Sequence, residues 1–374
     1  FYNTSHYTLA KLLADPANLQ RNLKTYVDAF SPNIKQILSY LEFDKQIDKM
    51  AKGSKLSGVV RKFSELDLDP DTVNNVAMGY MFEEIIRRFS ENVEAGDHYT
   101  PREVVRLLTR LALAEGCEDL DQPEKVIKVG DFACGTGGML SCAAELLGEE
   151  CPDSHVYLYG QEVLPESHAI CLADMLIKGQ DANNIREADT MKEDCFEGEK
   201  MRLVVMNPPF GQPWGGKDAA TGVEKAVLDE YKKPFGRFPA GTPVKGDMQM
   251  LFLQHAMSKL EDASPERGQK GGRACIISNG SPLFSGGTSS GESQIRRWLL
   301  ENDYVEAIIG MTTDLFYNTG IAIYIWVLSK DKANHRKGQV QLINATDIWE
   351  PMRRSLGNKR RQISEKQIDE IVAL

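Results

Sequence analysis

The chain has 374 residues, 42% hydrophobic and 26% charged, with a formal net charge of −10 and a mean hydropathy of −0.35. That length leaves room for two cores. No run approaches the ~18 apolar residues of a membrane helix, and no N-terminal signal segment is visible. The acidic balance, with a pI near 5.3, argues against a protein that grips duplex nucleic acid alone, because that affinity comes from phosphate neutralisation by cations. Seven cysteines occur with no Cys-x-x-Cys pair and no Cys/His cluster. Reduced thiols, no metal and a cytoplasmic location are therefore expected.

In chain order, the stretch from Tyr7 to Phe89 has helical periodicity. Leu9, Leu12 and Leu13, then Leu38, Leu41 and Phe43, then Val73, Val76, Met81 and Ile85 recur at helical spacing. Asn18, Ser31-Pro32 and Pro70-Asp71 read as helix starts. We expect an α-helical N-terminal domain over 1–92, serving contacts with partners or DNA rather than chemistry. Strand and helix patterns then alternate from about Val126 to Ile343, which predicts a mostly parallel sheet with crossover helices. Seven strands are expected, near 126–132, 155–160, 202–206, 273–278, 304–309, 321–328 and 339–343, within a catalytic domain spanning 93–350. Between Gly211 and Gly246 the pattern lapses into Gly, Pro, Lys and Asp, a long loop of the kind that is usually functional. Its Trp214, Tyr231, Phe235 and Phe238 suit either DNA contact or packing on the protein itself. A helical C-terminal tail is expected over 351–374. Lys232, Lys233, Arg237, Arg353-Arg354 and Lys359-Arg360-Arg361 are candidate phosphate contacts.

The chemistry concentrates at four strand ends. The first strand runs into Ala133-Cys134-Gly135-Thr136-Gly137-Gly138, where glycines allow a tight turn and close approach to a ligand. Glu162 follows the second strand, where an acid can accept hydrogen bonds from a ribose diol. Asp189 follows as an acceptor for an adenine amino group or as a simple turn residue. Leu203-Val204-Val205-Met206 then leads into Asn207-Pro208-Pro209-Phe210. Proline has no N–H and biases the preceding residue to extended geometry, so the Asn207 amide oxygen and Pro208 carbonyl are expected to face outward as acceptors. With the Phe210 ring they suit a planar base bearing an exocyclic amino group, such as an adenine turned out of its helix. S-adenosylmethionine fits the upstream strand ends better than NAD, since no hydride acceptor is apparent.

Gly135-Thr136-Gly137-Gly138, Glu162 and Asn207-Pro208-Pro209-Phe210 resemble motifs of the S-adenosylmethionine-dependent adenine-N6 DNA methyltransferases. Gly96-Asp97-His98-Tyr99-Thr100-Pro101-Arg102-Glu103-Val104-Val105 is similar to the segment preceding the catalytic domain in modification subunits of type I restriction-modification systems. Similar stretches lie at 78–90, 272–280 and 316–321, so the resemblance covers nearly the whole chain. It implies an α/β, Rossmann-like class I S-adenosylmethionine-dependent methyltransferase fold behind the helical domain. It also implies site-specific methylation of a flipped adenine. The implied catalytic residues are Asn207, Pro208, Pro209 and Phe210. The implied cofactor residues are His98, Tyr99, Thr100, Pro101, Asp131, Ala133, Gly135, Thr136, Gly137, Gly138, Glu162 and Asp189, with Thr100 and Pro101 closing the methionine end. His98 can equally be a helix-entry residue packed beneath the sheet.

The implied partners are a specificity subunit, a second modification subunit, double-stranded DNA and, where the system has one, a restriction-translocase subunit. Most residues after Asn207 are needed to finish the sheet, so sequence recognition is expected from the specificity subunit. Phe132 stands where the family often has proline, and Met206 where a smaller residue is common. The competing readings are methylation of a protein glutamine or of RNA, and a non-catalytic scaffold.

Overall fold

The computed structural model describes residues 2–69, 71–90, 100–120, 122–317 and 319–374. Five short helices, α1 (Leu9–Leu13), α2 (Leu19–Asp28), α3 (Pro32–Tyr40), α4 (Phe43–Lys52) and α5 (Leu56–Ser64), precede the longer α6 (Asn75–Ser90). Leu12, Leu19, Leu23, Val27, Ile47, Leu56 and Val60 close into a small core of their own. Asn18 and Ser31 occupy the expected N-cap positions of α2 and α3, although neither side chain makes a capping hydrogen bond. Pro70, the third expected helix start, lies outside the described residues, and α6 begins at Asn75. The edge-on stacking of Tyr40 against His168, with ring centroids 5.8 Å apart, ties α3 to the sheet-bearing part of the chain.

The rest is an α/β layer structure. In chain order it comprises α7 (Arg102–Leu113), β1 (Val126–Asp131), α8 (Gly138–Glu150), β2 (His155–Glu162), α9 (Pro165–Ile177), β3 (Ile185–Glu187) and β4 (Leu203–Met206). Then follow α10 (Val223–Lys232), α11 (Gln249–Lys259), β5 (Arg273–Ser278), α12 (Ser281–Phe284), α13 (Gly291–Glu301), β6 (Val305–Met311), β7 (Tyr324–Ser329) and β8 (Gln341–Ala345). Eight strands form one sheet in the order β3-β2-β1-β4-β5-β7-β6-β8. β3, β2, β1, β4 and β5 run parallel, and β7 is antiparallel to both β5 and β6. The seven expected strands are all present. The eighth, β3, is three residues of Ile-Arg-Glu, too short and polar to show as a period in the sequence.

Each face of the sheet is covered by helices, so the central strands are apolar on both sides, as parallel strands require. Val205, Cys275 and Ile277 face the core beneath α7 and α8. Val204, Ala274 and Ile276 face the core shared with α11 and α13. The expected helical tail from 351 is corrected by the structure. Glu350–Leu356 and Lys359–Gln362 form an antiparallel ribbon, β9 and β10, and only α14 (Glu365–Ala373) is helical. Gly357 at φ +58° makes the reversal, and the mixed charged sequence there carries no strand alternation to read.

Two buried arginines lock α7 against the N-terminal edge of the sheet. Arg202 donates to Gly271 O, Asp119 Oδ1 and Gly116 O. Arg273 donates to Ala112 O, Glu115 O and Glu306 Oε1. Removing one partner of such a buried pair costs far more than the pair contributes net, because it strands the other charge. Glu306→Ala is therefore expected to lower unfolding free energy by about 3 kcal/mol, measured by urea titration at unchanged slope.

Candidate active site

Because β1, β2, β3 and β4 are parallel, their C-terminal ends lie on one edge of the sheet, where ligands of open α/β sheets bind. The turn after β1 needs glycine at two places. Gly135 sits at φ +52° and Gly137 at φ +87°, a region that side chains other than glycine rarely occupy. A Cβ on Gly137 would also lie 2.7 Å from Cys171 Sγ, so glycine is required there for packing on α9. By contrast, a Cβ on Gly135 or Gly138 would meet no atom within 4 Å. The turn thus presents bare backbone to open space, with Thr136 half-buried between. A ligand could approach that backbone closely.

Glu162 ends β2 almost fully buried. Its Oε2 accepts from Gly135 N at 2.8 Å and its Oε1 from Leu164 N at 2.8 Å. The acid at the end of β2 therefore shapes the glycine turn after β1. Asp189 is half-buried and takes Met191 N at 2.9 Å. Next to it, Thr190 Oγ1 donates to Phe132 O at 2.6 Å, tying the β3 segment to the β1 turn. Ala133 N donates to Asp131 Oδ1 at 3.1 Å.

The tetrapeptide follows β4 directly. Pro208 is buried, whereas Asn207, Pro209 and Phe210 are half-buried, with Phe210 against the core edge. Asn207 Nδ2 donates to Thr100 Oγ1 at 2.9 Å. Its Oδ1 is buried and, among the described residues, has no hydrogen-bond partner. A buried acceptor left unpaired is costly, so this oxygen is the feature of the edge that calls for a donor. The turn beyond the tetrapeptide is held by the Met248 amide, which donates to Gln212 O at 3.0 Å, and beside it Asp247 accepts from Gln249 N and Nε2 at 3.1 and 2.8 Å. Gln249 Oε1 in turn accepts from Asn279 N at the end of β5.

Thr100 and Pro101 stand at the entry to α7, with Pro101 as its N-cap residue. Thr100 thus faces Asn207, a partnership that residue spacing could not show. His98 and Tyr99 lie outside the described residues. Asp247 and Gln249 were also missed, although Gly246-Asp247-Met248-Gln249 before an apolar helix carries the signal of a polar helix entry. Among the described residues no group of His, Cys, Asp and Glu is arranged to hold a metal ion, and no helix is long and apolar enough to cross a membrane.

Several candidate phosphate contacts have structural roles instead. Lys359 is buried and bonds Glu103, Leu315 O and Arg361 O. Arg361 lies over the Trp349 ring at 4.0 Å. Arg237 is buried and donates to Thr190 O at 2.6 Å. Lys232 and Lys233 are exposed, facing Asp229 and Glu230. In the Gly211–Gly246 segment, Trp214 and Phe238 pack inside, while Tyr231 and Phe235 are exposed. The sequence cannot rank those four rings, because their burial depends on which elements the loop crosses.

Burial pushes the Asp131 carboxyl up to about 8, opposed by the Ala133 N–H and aided by the nearby charge of Glu162. Between the ordinary Asp range and pH 8, the folded protein therefore holds a proton that the unfolded chain has released. Its contribution to stability is fullest at low pH and declines as pH rises towards 8. Asp131→Asn, which cannot ionise, should gain thermal stability relative to the parent between pH 5 and pH 8. Ligand-free melting curves at both pH values check this, and a pH-independent difference would refute it.

Residues 73–374 match the family model of the N-6 DNA methylases. The chain is 26% identical over 320 residues to the type I restriction enzyme MjaIX methylase subunit of Methanocaldococcus jannaschii, covering 84% of this chain and 51% of that protein. It is 29% identical over 331 residues to the MpnII methylase subunit of Mycoplasma pneumoniae, covering 85% and 55%. The chain thus spans about half the length of these curated relatives. In fold it is similar to the type I restriction-modification system methyltransferase subunit from Streptococcus thermophilus, with a TM-score of 0.74 and 21% identity over 98% of this chain and 72% of that one. With the glycine turn, the Glu162 carboxylate and the Asn-Pro-Pro-Phe end of β4 on one edge of the sheet, the chain belongs to the N-6 DNA methylase family.

Proposed function

We propose that this chain is the catalytic part of a type I modification subunit, a site-specific DNA methyltransferase acting on the N6 amino group of a flipped adenine. The observation that carries it is the Asn207 amide, whose nitrogen is committed to Thr100 while its buried oxygen has no partner among the described residues. An exocyclic amino group brings the donor that this oxygen lacks. Asn207 Oδ1 and the Pro208 carbonyl would accept its two N–H protons, keeping the nitrogen lone pair from delocalising into the ring. Phe210 would stack on the base.

S-adenosylmethionine, when bound, supplies an electrophilic methyl group. The open face of Gly135 and Gly138 would admit it, Glu162 would accept from its ribose, and Asp189 from its adenine. Asp131 and Ala133 set the shape of the turn beneath. Positioning accounts for most of the rate enhancement in this scheme, and no strong base is required because the amino proton can leave after transfer.

The net charge of −10 argues that duplex affinity comes from elsewhere. We assign that role to a specificity subunit, with a second modification subunit in the complex and a restriction-translocase subunit where one exists. Residues 1–92 would serve contacts with partners or DNA, and 93–350 the chemistry.

Plasmid DNA from cells expressing the chain with its neighbouring specificity subunit should contain N6-methyladenine, and Asn207→Ala should lower it about 100-fold or more. Expression without the partner should leave the plasmid unmodified. Cofactor binding without any DNA methylation in the presence of the partner would sink this reading in favour of a protein or RNA substrate.

A further inference from the structure

We infer that Thr100 is a positioning residue that holds the Asn207 side-chain amide in place for the substrate, rather than a cofactor ligand. This rests on the reading of Asn207 as the acceptor for a substrate amino group. The two ends of an asparagine amide are nearly isosteric, so packing hardly distinguishes the oxygen from the NH2. Chemistry does distinguish them. With Oδ1 towards the base, an amino N–H finds an acceptor. With the NH2 there, donor meets donor and the amino group is repelled. In the productive orientation both ends are satisfied, because Nδ2 donates to Thr100 Oγ1 at 2.9 Å and Oδ1, buried and otherwise unpartnered among the described residues, is left for the substrate. In the flipped orientation Thr100 can only donate to Oδ1, and the buried NH2 faces the substrate donor. The hydroxyl can serve either orientation and the base selects between them; what Thr100 contributes is a fixed partner for Nδ2 while Oδ1 meets the base.

Thr100 is held in place by the helix it leads into. It precedes Pro101, whose carbonyl accepts from Val104 N and Val105 N in the first turn of α7. That helix is buried along Val104, Leu107 and Leu108. Near its start, Arg102 pairs with Glu83 at 2.9 Å and Glu145 at 2.8 Å, and Glu103 pairs with the buried Lys359. At its far end Arg273 holds Ala112 O at 3.0 Å. A group carried by so tethered an element can fix a partner's geometry, whereas one on a loose loop cannot.

Thr100→Val removes the hydroxyl at constant shape, and Thr100→Ser restores it. The two readouts are single-turnover transfer of labelled methyl to unmethylated plasmid by the chain assembled with its specificity subunit, and calorimetric affinity of the same preparations for S-adenosylmethionine. Thr100→Val is expected to slow transfer about tenfold, the effect of one lost hydrogen bond, with cofactor affinity unchanged and Thr100→Ser near the parent rate. Weakened cofactor binding at an unchanged single-turnover rate would overturn the inference in favour of a cofactor contact. Equal rates for the parent and Thr100→Val would overturn it outright, as would a Thr100→Ser variant as slow as Thr100→Val. A parent complex that binds cofactor yet transfers no methyl would bring down the underlying reading, and the inference with it.

Discussion

Parallel pairing of β3, β2, β1, β4 and β5 is the constraint on which the rest depends. It brings every chemistry-bearing strand end to one edge, although those residues are scattered from 131 to 207 in the chain. Hydrogen bonds then stitch the ends together: Glu162 to the Gly135 amide, and Thr190 to the Phe132 carbonyl. The first joins the adjacent ends of β2 and β1, and the second reaches past β2 from the β3 segment to the β1 turn, so these three ends form one surface.

The opposite edge matters as much. Arg202 and Arg273 are deeply buried cations that find their acceptors on the residues just beyond or at the end of α7. A guanidinium presents five donors in a fixed fork and stays charged, so burial demands several acceptors at set angles. Satisfying that demand fixes the far end of α7, while Lys359 and Arg102 fix its beginning. The helix then acts as a strut running back under the sheet, delivering Thr100 to the end of β4. Charges with no chemical role thereby set the position of a polar group beside the tetrapeptide.

This accounts for where the basic residues went. Lysines and arginines that read as phosphate contacts, Lys359 and Arg237 above all, are buried struts with carbonyl and carboxylate partners.

The chain positions of seven strands, the glycine turn and the tetrapeptide were legible in the sequence by itself. Buried parallel strands need apolar runs, tight turns need glycine, and Asn-Pro-Pro has few other local conformations. β3 and the β9–β10 ribbon were not legible, because Ile185-Arg186-Glu187 is too short for a period and Pro351–Gln362 is stabilised by its neighbours rather than by alternation. Only the tertiary structure could decide that Thr100 meets Asn207, that the Met248 amide holds the turn after Phe210, and that Trp214 and Phe238 are core while Phe235 is not. Each of those depends on contacts between segments far apart in the chain, and such contacts leave no trace in local spacing.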